Sequence, residues 1–334
     1  MLICTLRLPP WCQSEQVLPQ SSVSTFQSKY EMQGQVGKGT FGTAHIAKSK
    51  QGLVVVKVSF DFQTAQEAQL LHYCQHPNVV KLIDTAMCLP YVAFAMEHWQ
   101  CNLGQYAGSC GQRLAPEQDA KRIFQDVATA LSHIHSKHIV HLDLHTGNIL
   151  LNAKGRSPLQ ACLADFGLAN SLEFHVRDFD FHMLHNRWNR APELYFGKGS
   201  SMDFCRRRHC PPQQKNLLVS TAVDIWALGV MVCDIVALGW KAPWPMHERT
   251  AEALAEASGD QDFSVAVALL GRIGAHPKDS IYKVSYVGKL PEYLAGAGLQ
   301  LPPATTQFQR CVGQMLSIHP NMRHSALHDM MSLT

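Results

Sequence analysis

Apolar positions change period along this chain, and that change predicts its elements. Residues 1–28 are rich in Ser, Gln and Pro without sustained periodicity and read as a flexible leader. From Tyr30 the pattern turns strand-like. Gly37, Gly39 and Gly42 punctuate a hairpin that continues through Ala44-His45-Ile46-Ala47. After a Lys-Ser-Lys-Gln-Gly turn, Leu53-Val54-Val55-Val56-Lys57-Val58 is a β-branched strand. Residues 63–74 predict a helix with Ala68, Leu70 and Leu71 on its apolar side, and residues 82–86 and 91–96 predict two more strands.

Beyond about Leu103 the period becomes helical. Ile123, Val127, Leu131 and Ile134 recur at spacings of three and four. Residues 222–239 are apolar on nearly every side, as in a helix buried inside a helical lobe. Residues 252–257, 264–273, 307–316 and 325–332 predict further helices. Strands first and helices afterwards make an α+β chain. The expected division is a leader at 1–28, a strand-rich lobe at 29–100 and a helix-rich lobe at 101–334.

Composition narrows the classes. Of 334 residues, 46% are apolar and 16% charged, which suits a packed globular protein with room for two lobes. A formal charge of +3 argues for neither nucleic acid nor a membrane surface. The most apolar stretch carries Asp224 and Asp234, which disfavours a membrane span. Eleven scattered cysteines without a framework read as reduced thiols, hence a cytoplasmic or nuclear setting.

Candidate chemistry is concentrated in His141-Leu142-Asp143-Leu144-His145-Thr146-Gly147-Asn148 and in Asp165-Phe166-Gly167. Two carboxylates and an amide at these spacings can position a hydroxyl and two metal ions around one phosphate. Asp143 is the candidate for orienting the hydroxyl. Asn148 and Asp165 supply hard oxygens suited to Mg²⁺. Gly37-Lys38-Gly39-Thr40-Phe41-Gly42 can bring backbone N–H groups close to phosphate oxygens, although the same triplet suits a tight hairpin. Lys57 reads either as a phosphate-holding lysine oriented by Glu67 or as an edge-strand lysine facing water, and Glu67 either as its partner or as a solvated helix residue.

Taken together, these motifs resemble the eukaryotic protein kinases from about Tyr30 to His328. The ordered set comprises the Gly-rich loop, Val54-Val55-Val56-Lys57, Glu67 before His76-Pro77-Asn78, the loop around Asp143, Asp165-Phe166-Gly167, Ala191-Pro192-Glu193 and Asp224-Ile225-Trp226-Ala227-Leu228-Gly229. The resemblance implies the two-lobed kinase fold, with a small antiparallel sheet plus one helix and a larger helical lobe. It also implies ATP and Mg²⁺ as cofactors and a protein substrate. ATP would meet Val36, the Gly-rich loop, Ala44, Val56 and Lys57. Met96 would be the gatekeeper, Glu97 and Trp99 would offer backbone groups to adenine, and Asn102 would reach the ribose. Leu71, Leu82, Phe166 and His141 would form a stack bridging the lobes, equally describable as core. Arg323 would pair with Glu193. The Trp188-Asn189-Arg190-Ala191-Pro192-Glu193 run is most similar to the cyclin-dependent and mitogen-activated group. That group implies Ser/Thr acceptors, often followed by proline.

Several positions depart from the family pattern. Leu142 replaces an arginine that receives an activation-loop phosphate. Ser171 is the only hydroxyl residue between Leu168 and Ala191, so activity independent of activation-loop phosphorylation is expected. His145 replaces a catalytic lysine, and Asn186 replaces a threonine. These changes keep a second reading open, a pseudokinase scaffold that binds nucleotide or partners without catalysis. The His-x-Asp-Leu-His-x-Gly-Asn run also resembles small-molecule phosphotransferases, which lack the Ala-Pro-Glu and Asp-x-Trp elements. Residues 199–216 look inserted. Within them Cys205-Arg206-Arg207-Arg208-His209-Cys210 reads first as a solvated charge run, with a regulatory docking loop or a zinc site as alternatives.

Overall fold

The structure, a computed structural model, describes residues 19–39, 42–59, 62–88, 91–109, 117–152, 159–172, 189–191, 194, 219–235, 306–317 and 320–333. Five antiparallel strands form the first sheet: β1 (Glu31–Gly39), β2 (Gly42–Ser49), β3 (Gly52–Ser59), β4 (Leu82–Cys88) and β5 (Tyr91–Glu97). Their spatial order is β1-β2-β3-β5-β4, which puts β3 and its Lys57 in the centre. The alternative reading of Lys57 as an edge-strand lysine is thereby excluded.

Period-two alternation divides β3 between two faces. Lys57 and Val55 share one face, opposite Phe94 and Met96 of β5. On that face Phe94 and Leu82 join the main core with Leu70 and Leu71 of helix α2 (Phe62–Tyr73). Val54, Val56 and Val58 point to the other face, where Val54 and Val56 pack with Ala47, Ala86 and Ala95. A strand apolar on both faces needs cover on both. The second cover is α1 (Val23–Lys29), which lays Phe26 and the following Tyr30 on these residues.

This corrects the expected leader. From Pro19 onward the chain is part of the fold. Pro19 and Ser21 pair with Thr85 along the edge of β4, and Ser22 caps α1 by accepting from the Thr25 N–H. The buried Asp84 carboxylate accepts from the Ser21 hydroxyl at 2.7 Å, the Lys29 ammonium at 2.8 Å and the Tyr30 hydroxyl at 3.4 Å. Burial, with Asp84 beside it, pushes the Tyr30 hydroxyl up to about 12. Val23, Phe26 and Tyr30 lie three and four apart, an apolar stripe too short to stand out among the polar residues around it.

The helical part begins with α3 (Leu103–Ser109) and α4 (Glu117–Ser136). Ile123, Val127, Leu131 and Ile134 are all fully buried, as their spacing predicts. Short strands follow: β6 (Cys101–Asn102) pairs with β8 (Ile149–Asn152), β8 with β9 (Gln160–Leu163), and β7 (Ile139–Val140) with β10 (Asn170–Ser171). Helix α5 (Ala222–Ile235) is buried on every side over its first three turns. Helices α6 (Gln307–Met315) and α7 (His324–Met331) pack against it and α4. The fully buried Arg323 donates to the Ser317 and Ala222 carbonyls and lies over the Trp226 ring. Its expected partner Glu193 and the predicted helices at 252–257 and 264–273 lie outside the described residues. Among those residues, no helix is long and apolar enough to cross a membrane.

Candidate active site

Three elements converge on one nitrogen. The Lys57 ammonium lies 2.6 Å from Glu67 Oε2 on α2 and 3.1 Å from Asp165 Oδ1 in the loop after β9. Glu67 is only 1% exposed, so it is no solvated helix residue, whereas Asp165 is 44% exposed and open to a ligand. Burial pulls the Lys57 ammonium down, but the Glu67 and Asp165 carboxylates outweigh it, and its pKa stands above the ordinary lysine value. Burial pushes Glu67 up to about 7 against the opposing pull of Lys57. The pair therefore sits near the balance between desolvation and attraction.

The loop from β7 to β8 is held from beneath. The fully buried Asp224 carboxylate accepts from the backbone N–H of His141 at 2.8 Å and of Leu142 at 3.0 Å, and lies 2.9 Å from His135 Nε2. This grip holds Leu142 at φ 63°, a left-handed conformation costing a leucine roughly 1–2 kcal/mol. The Leu142 side chain is buried in the main core, where an arginine could not follow without a partner. His141 Nε2 meets the Ala164 carbonyl at 3.1 Å, and its ring stands edge-on to Phe166 at 5.1 Å. With Leu71 and Leu82 in the same cluster, the expected stack is contiguous core anchored on Asp224.

Asn148 Nδ2 donates to the Asp143 carbonyl at 2.9 Å and to its Oδ2 at 3.3 Å, which turns the amide oxygen away from Asp143. Buried Asn189 donates to the Leu144 carbonyl at 2.9 Å and braces the same loop. His145 Nδ1 accepts from the Gly147 N–H at 3.0 Å, so its neutral ring carries the proton on Nε2, 3.7 Å from Asp143 Oδ2. A Cβ on Gly147 would lie 2.7 Å from the His145 ring, so the glycine makes room for the histidine.

In the first sheet, the β1–β2 hairpin brings Gly37, Lys38 and Gly39 against Ala44, Thr43 and Gly42. Gly42 has φ +141°, and a Cβ there would strike the Val58 carbonyl at 2.4 Å. Ala44 pairs with Lys57, which puts both on one face. Val36 sits at an irregularity of the β1–β2 register and is 56% exposed. Thr40 and Phe41 lie outside the described residues.

The assignment of Val56 to ATP is a correction. Its side chain belongs to the reverse face with Phe26 and Ala95. Val55, two residues from Lys57 and opposite Met96, occupies the cleft face instead, and a count of two back from the lysine would have found it. Met96 and Trp99 are half-buried against the core. Glu97 ends β5, and its carboxylate accepts from the Lys81 N–H at 3.0 Å. Asn102 Oδ1 caps α3 by accepting from the Gln105 N–H at 2.8 Å. His135, given no role from the sequence, meets the Asp224 carboxylate that holds this loop, and Asn189 reaches the loop from a distant part of the chain.

Sheet, helices and the charged cluster between them have the arrangement of a protein kinase domain. The chain belongs to the protein kinase domain family: a family model of that domain matches residues 30–332. Its fold is the two-lobed protein kinase fold.

Proposed function

We propose that the protein transfers a phosphoryl group from ATP to Ser or Thr hydroxyls of protein substrates. The observation that carries this reading is the Lys57 ammonium held between Glu67 and Asp165, a charge fixed where phosphates would lie. Oxygen donors from Asn148 and Asp165 fit Mg²⁺, which would supply neutralisation of charge on the phosphate oxygens. Lys57 positions the phosphates and Glu67 restrains Lys57. The Asp143 carboxylate orients the acceptor hydroxyl and accepts its proton, while the His145 Nε2–H donates beside it. The Gly-rich hairpin covers the phosphates with backbone N–H groups. In this reading the lobes divide at residues 100 and 101.

Relation to the cyclin-dependent and mitogen-activated group, proline direction and a cytoplasmic or nuclear setting belong to the same proposal. Ser171 is buried in β10, which supports activity without activation-loop phosphorylation. Asn186 and residues 199–216, including a docking or zinc role for the latter, lie outside the described residues. One feature favours a scaffold instead: at His145 an imidazole stands where a permanent cation is expected. Radiolabel transfer to a generic Ser/Thr substrate, beside nucleotide binding, separates the two. Asp143→Ala is expected to lower transfer about 10²-fold or more with nucleotide binding retained. Binding without transfer in the unaltered protein identifies the scaffold.

A further inference from the structure

The reverse face of the sheet carries a cavity that the phosphotransfer site does not use. Its volume is about 380 Å³. The floor is Val56, Val58, Ala86 and Ala93, and α1 roofs it with Val23 and Phe26. It is half-open, and Gln27, Met32 and Tyr91 complete its wall. Met32 and Tyr91 are 46% exposed at its rim. The Tyr30 hydroxyl, which also reaches this region, is already committed to Asp84.

Two physical points bear on what this space holds. Protein interiors are packed with few voids larger than a water molecule, and this one falls within the range of small-molecule sites, roughly 300–1,000 Å³. An ordered water needs two to four polar partners. Strand alternation has placed only valine and alanine methyl groups on the floor, so water inside finds none there. The polar atoms of Gln27 and Tyr91 belong to side chains of the wall.

We propose that this cavity is a binding site for a small, carbon-rich ring compound carrying one polar group. The ring body lies on the valines and alanines, and the polar group meets Gln27 or the Tyr91 hydroxyl. Occupancy joins α1 to β3, because the ligand touches Val23 and Phe26 above and Val56 and Val58 below. Those two valines flank Lys57 with their side chains on the opposite face. The site is therefore separate from the nucleotide cleft.

The test uses 2-naphthol as probe with the full chain. Methyl NMR of the valines is expected to show shifts at Val23, Val56 and Val58 that persist with saturating ADP. Hydrogen exchange of the amides in α1 is expected to slow on binding. Ala93→Phe fills the floor and is expected to weaken binding about tenfold or more, equivalent to about 1.4 kcal/mol. Val23→Phe fills the space from the roof and serves if the sheet does not tolerate the first change. Shifts displaced by ADP, unchanged exchange in α1, or full affinity in both filled variants would each overturn the proposal.

Discussion

At the scale of single residues, the site is governed by groups whose charge is costly where they stand. Glu67 is the clearest case. Its carboxyl is raised from 4.5 to about 7, so it stabilises the fold most when protonated, and that contribution is lost as pH rises through about 7. The ionised form is the one that holds Lys57. Nucleotide affinity, read with a fluorescent analogue, is therefore expected to rise with pH across that value. Glu67→Gln is expected to weaken affinity about tenfold and to abolish that slope. A variant retaining the wild-type slope would place the titration elsewhere. Residue type and spacing singled out Lys57, Glu67 and Asp165, and the structure brings the two carboxylates within hydrogen-bonding distance of the Lys57 ammonium. Val56 was misassigned because the motif counts positions, whereas a strand sorts side chains by alternation.

At the scale of elements, the connector after α2 meets α4 through aromatic nitrogen rings. His76 stacks on His133 at 4.7 Å, and His72 lies on the last turn of α2. Burial lowers the pKa of all three, and for His133 the neighbouring His76 and Lys137 add to it. Lys137 also lies 4.3 Å from the centre of the Tyr73 ring. The folded state thus prefers these rings neutral. Their contribution is present above the unfolded value of about 6.5 and is lost as pH falls through the lower folded values. Melting temperature is expected to drop between about pH 7 and about pH 5, and His133→Phe is expected to flatten that drop by a few degrees. The comparison isolates the histidines, because Glu67 acts in the opposite direction in both proteins. An equal drop in the variant would refute the assignment. Strands, α2, α4 and α5 were legible from hydrophobic period, each within a few residues. Helix α1 was not, because its short stripe acquires meaning only from the valines beneath it.

At the scale of the whole molecule, the groups proposed to hold nucleotide and metal come from both lobes, so binding should tie the two together. Saturating ADP with Mg²⁺ at about a hundred times Kd is expected to add about 2.7 kcal/mol of stability. Chelating the metal is expected to remove most of that gain, and Asp165→Asn to mimic chelation, as read by thermal unfolding. A gain unaffected by either change would remove the metal role from Asp165. The chain alone determined the order of strands and helices and singled out the groups proposed to react, because both follow from local period and from the few side chains able to do this chemistry. Only tertiary structure decided that Leu142 is locked in a left-handed turn by Asp224 and that residues 19–30 pack on the sheet's reverse face. Those outcomes depend on contacts between residues 50 or more positions apart, whose burial and hydrogen bonding no local pattern encodes.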